Sequence, residues 1–127
     1  MESSQNGIYL EVGKRPWGEY YVLQDEEYFK LKKIVVNPGQ RLSYQYHFKR
    51  QEFWTVVKGN AVVTLEGEEH LLGYGESIFI PREAKHRIEN RSSETLEFVE
   101  VQTGSYFGED DIVRIEDDYP VSYTHLR

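Results

Sequence analysis

Apolar residues in this chain fall in short runs rich in Val, Ile, Tyr and Phe, and turn residues interrupt each run before a helical period can establish itself. The pattern predicts strands at Glu19–Leu23, Phe29–Val36, Arg41–Tyr46, Glu52–Lys58, Ala61–Leu65, His70–Leu72, Ser77–Ile80, His86–Asn90 and Leu96–Thr103. Between them lie Pro38-Gly39, Gly59-Asn60, Glu66-Gly67, Gly73-Tyr74-Gly75 and Pro81, which supply permissive or fixed φ angles. Many short strands at regular spacing in 127 residues predict a single all-β domain, a sandwich or a barrel. Its core is expected over about residues 14–107. The segment 108–127 opens on an acidic run, with six acids in the ten residues from Glu109 to Asp118, and a solvated tail or short helical turn is expected there.

Strand periodicity also sorts the polar residues. Five residues separate Gly39 from Gln45-Tyr46-His47; four further residues lead to Glu52 and six more to Gly59. Gln45 and His47 share parity, so a pleated strand turns both to one face, and Glu52 opens the next strand where its carboxylate can reach the same point. A second segment runs from Gly75 through Pro81 and His86 to Asn90, and His86 shares parity with Ile88 and Asn90, which predicts an inward imidazole. Trp54 shares parity with Glu52, so it lines the pocket or packs in the core. Tyr44 and Tyr46 have the opposite parity and are expected to face outward or an interface. His70 and His125 fit no motif and are expected at the surface.

Composition narrows the partners. Fifteen basic against 22 acidic side chains give a net charge of −7, which argues against nucleic acid and anionic membranes as ligands. The excess acid lies after residue 58; residues 39–59 are net +3 and residues 81–91 net +2, so the motif segments suit a small anion. No cysteine is present, which excludes a disulfide framework and thiolate ligands and suits a reducing compartment. With no signal-peptide pattern and no apolar run of membrane-spanning length, a cytoplasmic protein is expected.

The two spaced segments resemble the paired motifs of cupins, whose fold is a double-stranded β-helix, or jelly-roll barrel, with a divalent metal in its mouth. Two imidazoles, one carboxylate and an amide oxygen would suit zinc first, and also Mn, Fe(II), Co or Ni. Gln45 stands where most cupins have a first histidine; its neutral amide oxygen donates less charge and leaves a metal the stronger Lewis acid. Glu83 stands where the second motif usually has glycine. Arg15-Pro16-Trp17-Gly18, residues 33–39, Leu42–His47, Arg50–Trp54, Ile80-Pro81, Glu100–Gln102 and Glu109–Arg114 further resemble the C-terminal isomerase domain of type II mannose-6-phosphate isomerases, which is often fused behind a mannose-1-phosphate guanylyltransferase domain. The chain departs from that pattern at Phe48, Lys49, Phe53 and in Asp118–Val121.

The resemblance implies Gln45, His47, Glu52 and His86 as metal ligands and interconversion of mannose 6-phosphate and fructose 6-phosphate through a cis-enediolate. Arg50, Lys49 and Lys32 are then the candidates for proton transfer or substrate positioning, beside a metal-bound water. Arg50 and Arg114 are the phosphate candidates, with Trp54 lining the pocket; the alternatives are an exposed loop arginine for Arg50 and a salt bridge to nearby acids for Arg114. The aromatic content of 14% and the habit of cupins predict a homodimer. A noncatalytic cupin that binds a sugar phosphate or small anion, and another metal cupin enzyme such as a dioxygenase or decarboxylase, are the competing readings, because fold alone does not choose the chemistry.

Overall fold

The computed structural model describes residues 9–119; His125 and the divergent segment Pro120–Arg127 lie outside the described residues. Eleven strands are present there: β1 Glu11–Arg15, β2 Gly18–Asp25, β3 Phe29–Val36, β4 Tyr44–His47, β5 Arg50–Lys58, β6 Ala61–Leu65, β7 Glu68–Leu72, β8 Ser77–Ile80, β9 His86–Glu89, β10 Leu96–Gly104 and β11 Ile112–Glu116. They form two antiparallel sheets, ordered β1-β2-β3-β10-β5-β8 and β11-β4-β9-β6-β7. Facing sheets with these long crossovers make the expected cupin-type jelly roll. No helix among the described residues is long and apolar enough to cross a membrane.

Alternation builds the interior. On β5 the buried positions are Arg50, Glu52, Trp54 and Val56, and on β10 they are Leu96, Phe98, Glu100 and Gln102. Cross-strand register turns this alternation into rows across the larger sheet. One row runs Ile34–Phe98–Val56, the next Lys32–Glu100–Trp54, and the third Lys30–Gln102–Glu52. The inner surface thus grades from an apolar floor, completed by Ala61, Val63 and Ile88 from the opposite sheet, to a polar mouth. Removing the floor's apolar area from water supplies the main driving force for closing the sheets.

Two strands were not expected. β1 is mostly exposed, so its five residues carry little burial signal. β11 lies in the acidic run: only Glu109–Asp111 forms the short 3-10 turn, and Ile112–Glu116 then pairs with β4. β4 starts at Tyr44 rather than Arg41, which makes a single isolated bridge to Glu89.

The two motif segments hold each other through backbone hydrogen bonds. Gly39 N–H donates to Asn90 C=O and Asn90 N–H to Gln40 C=O, each at 2.9 Å. The inward Asn90 side chain donates to the Val36 and Glu94 carbonyls at 3.0 and 2.7 Å. Glu83 N–H donates to the His47 carbonyl at 2.7 Å, which ties the turn before β9 to the end of β4. Glu83 has φ +67°, a left-handed conformation that disfavours a side chain, and this explains why glycine suits the position. Glu83→Gly is expected to stabilise the fold by about 0.5–1 kcal/mol in urea denaturation, the relief of backbone strain less the added unfolded-state entropy.

Candidate metal centre

Three strands deliver donors to one point. His47 ends β4, Glu52 lies in β5 and His86 opens β9; all three are buried, and one donor atom from each can be chosen so that the three lie within 4.8 Å of one another. Gln45 is the direct cross-strand partner of His86, so its amide joins the same corner. The His47 and His86 rings stack with centroids 5.2 Å apart.

The hydrogen bonds assign the histidine tautomers. His86 Nδ1 faces the Ala84 carbonyl at 2.8 Å, so it must donate, which leaves the lone pair on Nε2. His47 Nε2 faces an Arg50 Nη2 donor at 2.9 Å, so it must accept. Burial lowers the pKa of both, to about 4 for His47, against the opposing charge of Glu52; both imidazoles are therefore neutral at pH 7, the state a metal requires.

The donor set fits a divalent cation. His86 Nε2 and the Gln45 side-chain oxygen are both buried without a hydrogen-bond partner, an arrangement costly unless something else takes their lone pairs. Glu52 supplies the negative charge. Its Oε1 accepts from Trp54 Nε1 at 2.9 Å and its Oε2 from Arg50 Nε at 2.8 Å. A cation that takes the His47 Nε2 lone pair has to displace the Arg50 contact.

The other expected site residues separate into two groups. Arg50 is 3% exposed, not a solvent-facing loop residue, and also donates to Phe107 C=O and Glu109 at 3.3 Å each. Lys32 is buried and pairs with Glu109 at 3.4 Å. Trp54 both lines the cavity and belongs to the core, its ring against His86 and Phe98. Arg114 stands opposite Gln45 on β11, lines the cavity, and lies 3.8 Å from Asp117. Lys49 does not line the cavity: it sits in the turn between β4 and β5, and its exposed side chain lies over the Tyr106 ring.

Sequence reasoning passed over Glu100, Glu109 and Lys30, all of which line the same cavity of ≈ 160 Å³. Strand parity could have found Glu100, which lies between inward Phe98 and Gln102. Glu109 is two-fifths exposed, yet Lys32 and Arg50 hold its pKa near 2 against the upward push of burial. Burial first, and then the Glu52 charge, push Glu100 up to about 8 against Lys32 and Arg50. Without a cation Glu100 therefore keeps its proton at neutral pH, while Gln102 Nε2 donates to Glu100 Oε2 at 2.8 Å.

A raised carboxylate pKa favours the native state at low pH, and that contribution is lost as pH rises from the unfolded value near 4.5 through about 8. In chelator, Glu100→Gln is therefore expected to gain thermal stability relative to wild type as pH goes from 5 to 8. A pH-independent difference in melting temperature would show that Glu100 is ionised throughout.

A family model described as mannose-6-phosphate isomerase C-terminal matches residues 3–117. The mannose-1-phosphate guanylyltransferase ManC of Salmonella typhimurium is 50% identical over 105 residues, covering 83% of this chain and 22% of that protein. The Escherichia coli mannose-1-phosphate guanylyltransferase is 47% identical over 115 residues, covering 91% and 24%. The chain thus spans about a quarter or less of the length of these curated relatives. The capsular polysaccharide assembling protein CapF of Staphylococcus aureus superposes with a TM-score of 0.76 at 18% identity, over 90% of this chain and 34% of that one, which speaks to the fold alone.

Proposed function

The chain belongs to the mannose-6-phosphate isomerase C-terminal family, and from that membership and its convergent donor set we propose that it is a metal-dependent aldose–ketose isomerase interconverting mannose 6-phosphate and fructose 6-phosphate. The observation that carries this reading is the meeting of His47, Glu52 and His86 beside two unpartnered acceptors, Gln45 Oε1 and His86 Nε2, in a cavity lined by more basic than acidic side chains.

His47, Glu52, His86 and the Gln45 amide oxygen would hold the cation, zinc by preference or Mn, Fe, Co or Ni. When bound, the cation supplies Lewis-acid polarisation of the sugar carbonyl, worth several kcal/mol in the transition state. The remaining work falls to the chain. Although desolvation lowers its pKa, Lys32 keeps its charge through the pull of Glu109, and Arg50 is held charged by Glu52 and Glu109 in the same way. Both therefore serve to balance negative charge on sugar oxygens, not to take a proton from carbon. Trp54 fixes the Glu52 carboxylate through its indole N–H and covers one side of His86. Before a cation binds, burial and the Glu52 charge favour the protonated form of Glu100, so Glu52 carries the negative charge offered to the cation.

A coupled assay that follows fructose 6-phosphate from mannose 6-phosphate, with chelated protein reloaded with Zn, Mn or Co, tests the proposal. Turnover that needs the cation is the expected result. Metal-loaded protein that binds mannose 6-phosphate without converting it would overturn the isomerase reading and favour the noncatalytic binding module, whereas iron-dependent oxygen consumption would favour the dioxygenase class.

A further inference from the structure

Two lysines lie on the inward face of β3, and the chemistry above uses only Lys32. Lys30 and Lys32 share parity with Ile34 and Val36, which are core, and their side chains are only 14% and 11% exposed. Burying ammonium groups is costly unless an anion meets them. Lys32 has Glu109 at 3.4 Å, but Lys30 meets the half-exposed Asp25 only at 4.0 Å. Arg15 of β1 joins them: its guanidinium sits 5.0 Å from the Tyr20 ring centroid and Lys32 Nζ 5.1 Å from the same centroid. Glu11 lies on this rim too, engaged by the Tyr20 hydroxyl at 2.6 Å.

We propose that Arg15, Lys30 and Lys32 form the end of the cavity that takes a phosphate monoester, in place of Arg50 and Arg114; the identity of the ligand as a sugar phosphate rests on the function proposed above. Arg50 already contacts Glu52, Glu109, His47 and the Phe107 carbonyl, which leaves it capacity for a sugar oxygen at the donor corner rather than for a phosphate dianion. Arg114 lies on the other sheet, opposite Gln45 at the donor corner itself. The lysines are at the right remove. Lys30 stands two strands from Glu52 through Gln102, about 9–10 Å between backbones at the usual interstrand spacing. An open-chain hexose 6-phosphate carries phosphorus about 7–8 Å from C2, six staggered bonds of roughly 1.5 Å. One ligand can therefore put its C1 and C2 oxygens at the donor corner and its phosphate on the lysines. Glu109 acts as an internal competitor, since it occupies Lys32 until a dianion arrives.

Calorimetric titration of the zinc-loaded protein with mannose 6-phosphate, mannose and inorganic phosphate tests this. Lys30→Gln is expected to weaken mannose 6-phosphate and inorganic phosphate by about 10-fold or more, with mannose binding and zinc stoichiometry unchanged, and Lys33→Gln on the outer face should have no effect. Glu109→Gln should tighten both phosphate ligands several-fold, an effect of opposite sign that loss of folding does not imitate. Lys30-dependent binding of inorganic phosphate but not of mannose 6-phosphate would support the subsite while removing the sugar phosphate as its ligand; binding of mannose 6-phosphate without turnover would support it while removing the isomerase reading. Wild-type affinity in a folded Lys30→Gln protein, or no phosphate binding by the wild type, overturns the proposal.

Discussion

His86→Ala is expected to bring isomerase activity to background, a loss of at least about 10³-fold, together with loss of stoichiometric metal. The reason lies in what His86 does and does not touch. Its Nε2 has no protein partner, and its Nδ1 makes one bond to the Ala84 carbonyl. The substitution therefore deletes a donor without opening a network, and the space left beside Trp54 is the main structural cost. Even partners that only orient a ligand change metal affinity by about 10–100-fold, so deletion of a ligand itself should exceed that. Metal content, activity and melting temperature measured together make the result readable. In chelator the variant should melt within a few degrees of wild type, whereas added zinc should raise the melting temperature of wild type alone, because a ligand stabilises only the state that binds it. Full zinc occupancy and activity in His86→Ala would remove the proposed centre.

Glu52→Ala carries the largest expected cost in stability, about 3–5 kcal/mol in metal-free protein, because it strips the nearest counter-charge from a buried arginine and the acceptor from the Trp54 indole. Glu52→Gln separates the two contributions: it keeps an acceptor for Trp54 but not the charge. Its loss should depend on pH. Without the Glu52 charge the Glu100 pKa falls, and Lys32 and Arg50 draw it down further, so Glu100 ionises and takes over as counter-ion. The Glu52→Gln deficit should then be largest near pH 4–5 and shrink toward neutrality, and combining it with Glu100→Gln should cost more than the sum of the singles at pH 7. Urea denaturation of the four proteins at two pH values measures this coupling. Additive losses at both values would show that the two carboxyls act independently.

The sequence was most informative where one face of a strand is buried along its length. Phe29–Val36, Ala61–Leu65 and Ser77–Ile80 have the same bounds in the structure as in the hydrophobic pattern. Parity placed Gln45 with His47 and turned His86, Ile88 and Asn90 inward, since a pleat has no other way to arrange alternate residues. β1 and β11 escaped because an edge strand with exposed faces leaves no alternation to read. Lys49 illustrates the limit of adjacency: it neighbours Arg50 in sequence, yet it sits in the exposed turn before β5 and does not line the cavity.

By itself, then, the chain's pattern determined the fold class, the inward positions of the motif residues and the local positive charge of the motif segments, all of which are read from residue order alone. The charges inside the barrel were decided by tertiary structure. Lys32 faces Glu100, Lys30 faces Gln102, and Glu109 reaches Lys32 and Arg50 from 77 and 59 residues away. A buried charge is tolerable only because of the groups opposite it, and those are chosen by strand pairing across the sheet. A period of two records which face is buried; the partner that meets each buried charge exists only once the strands have closed into a barrel.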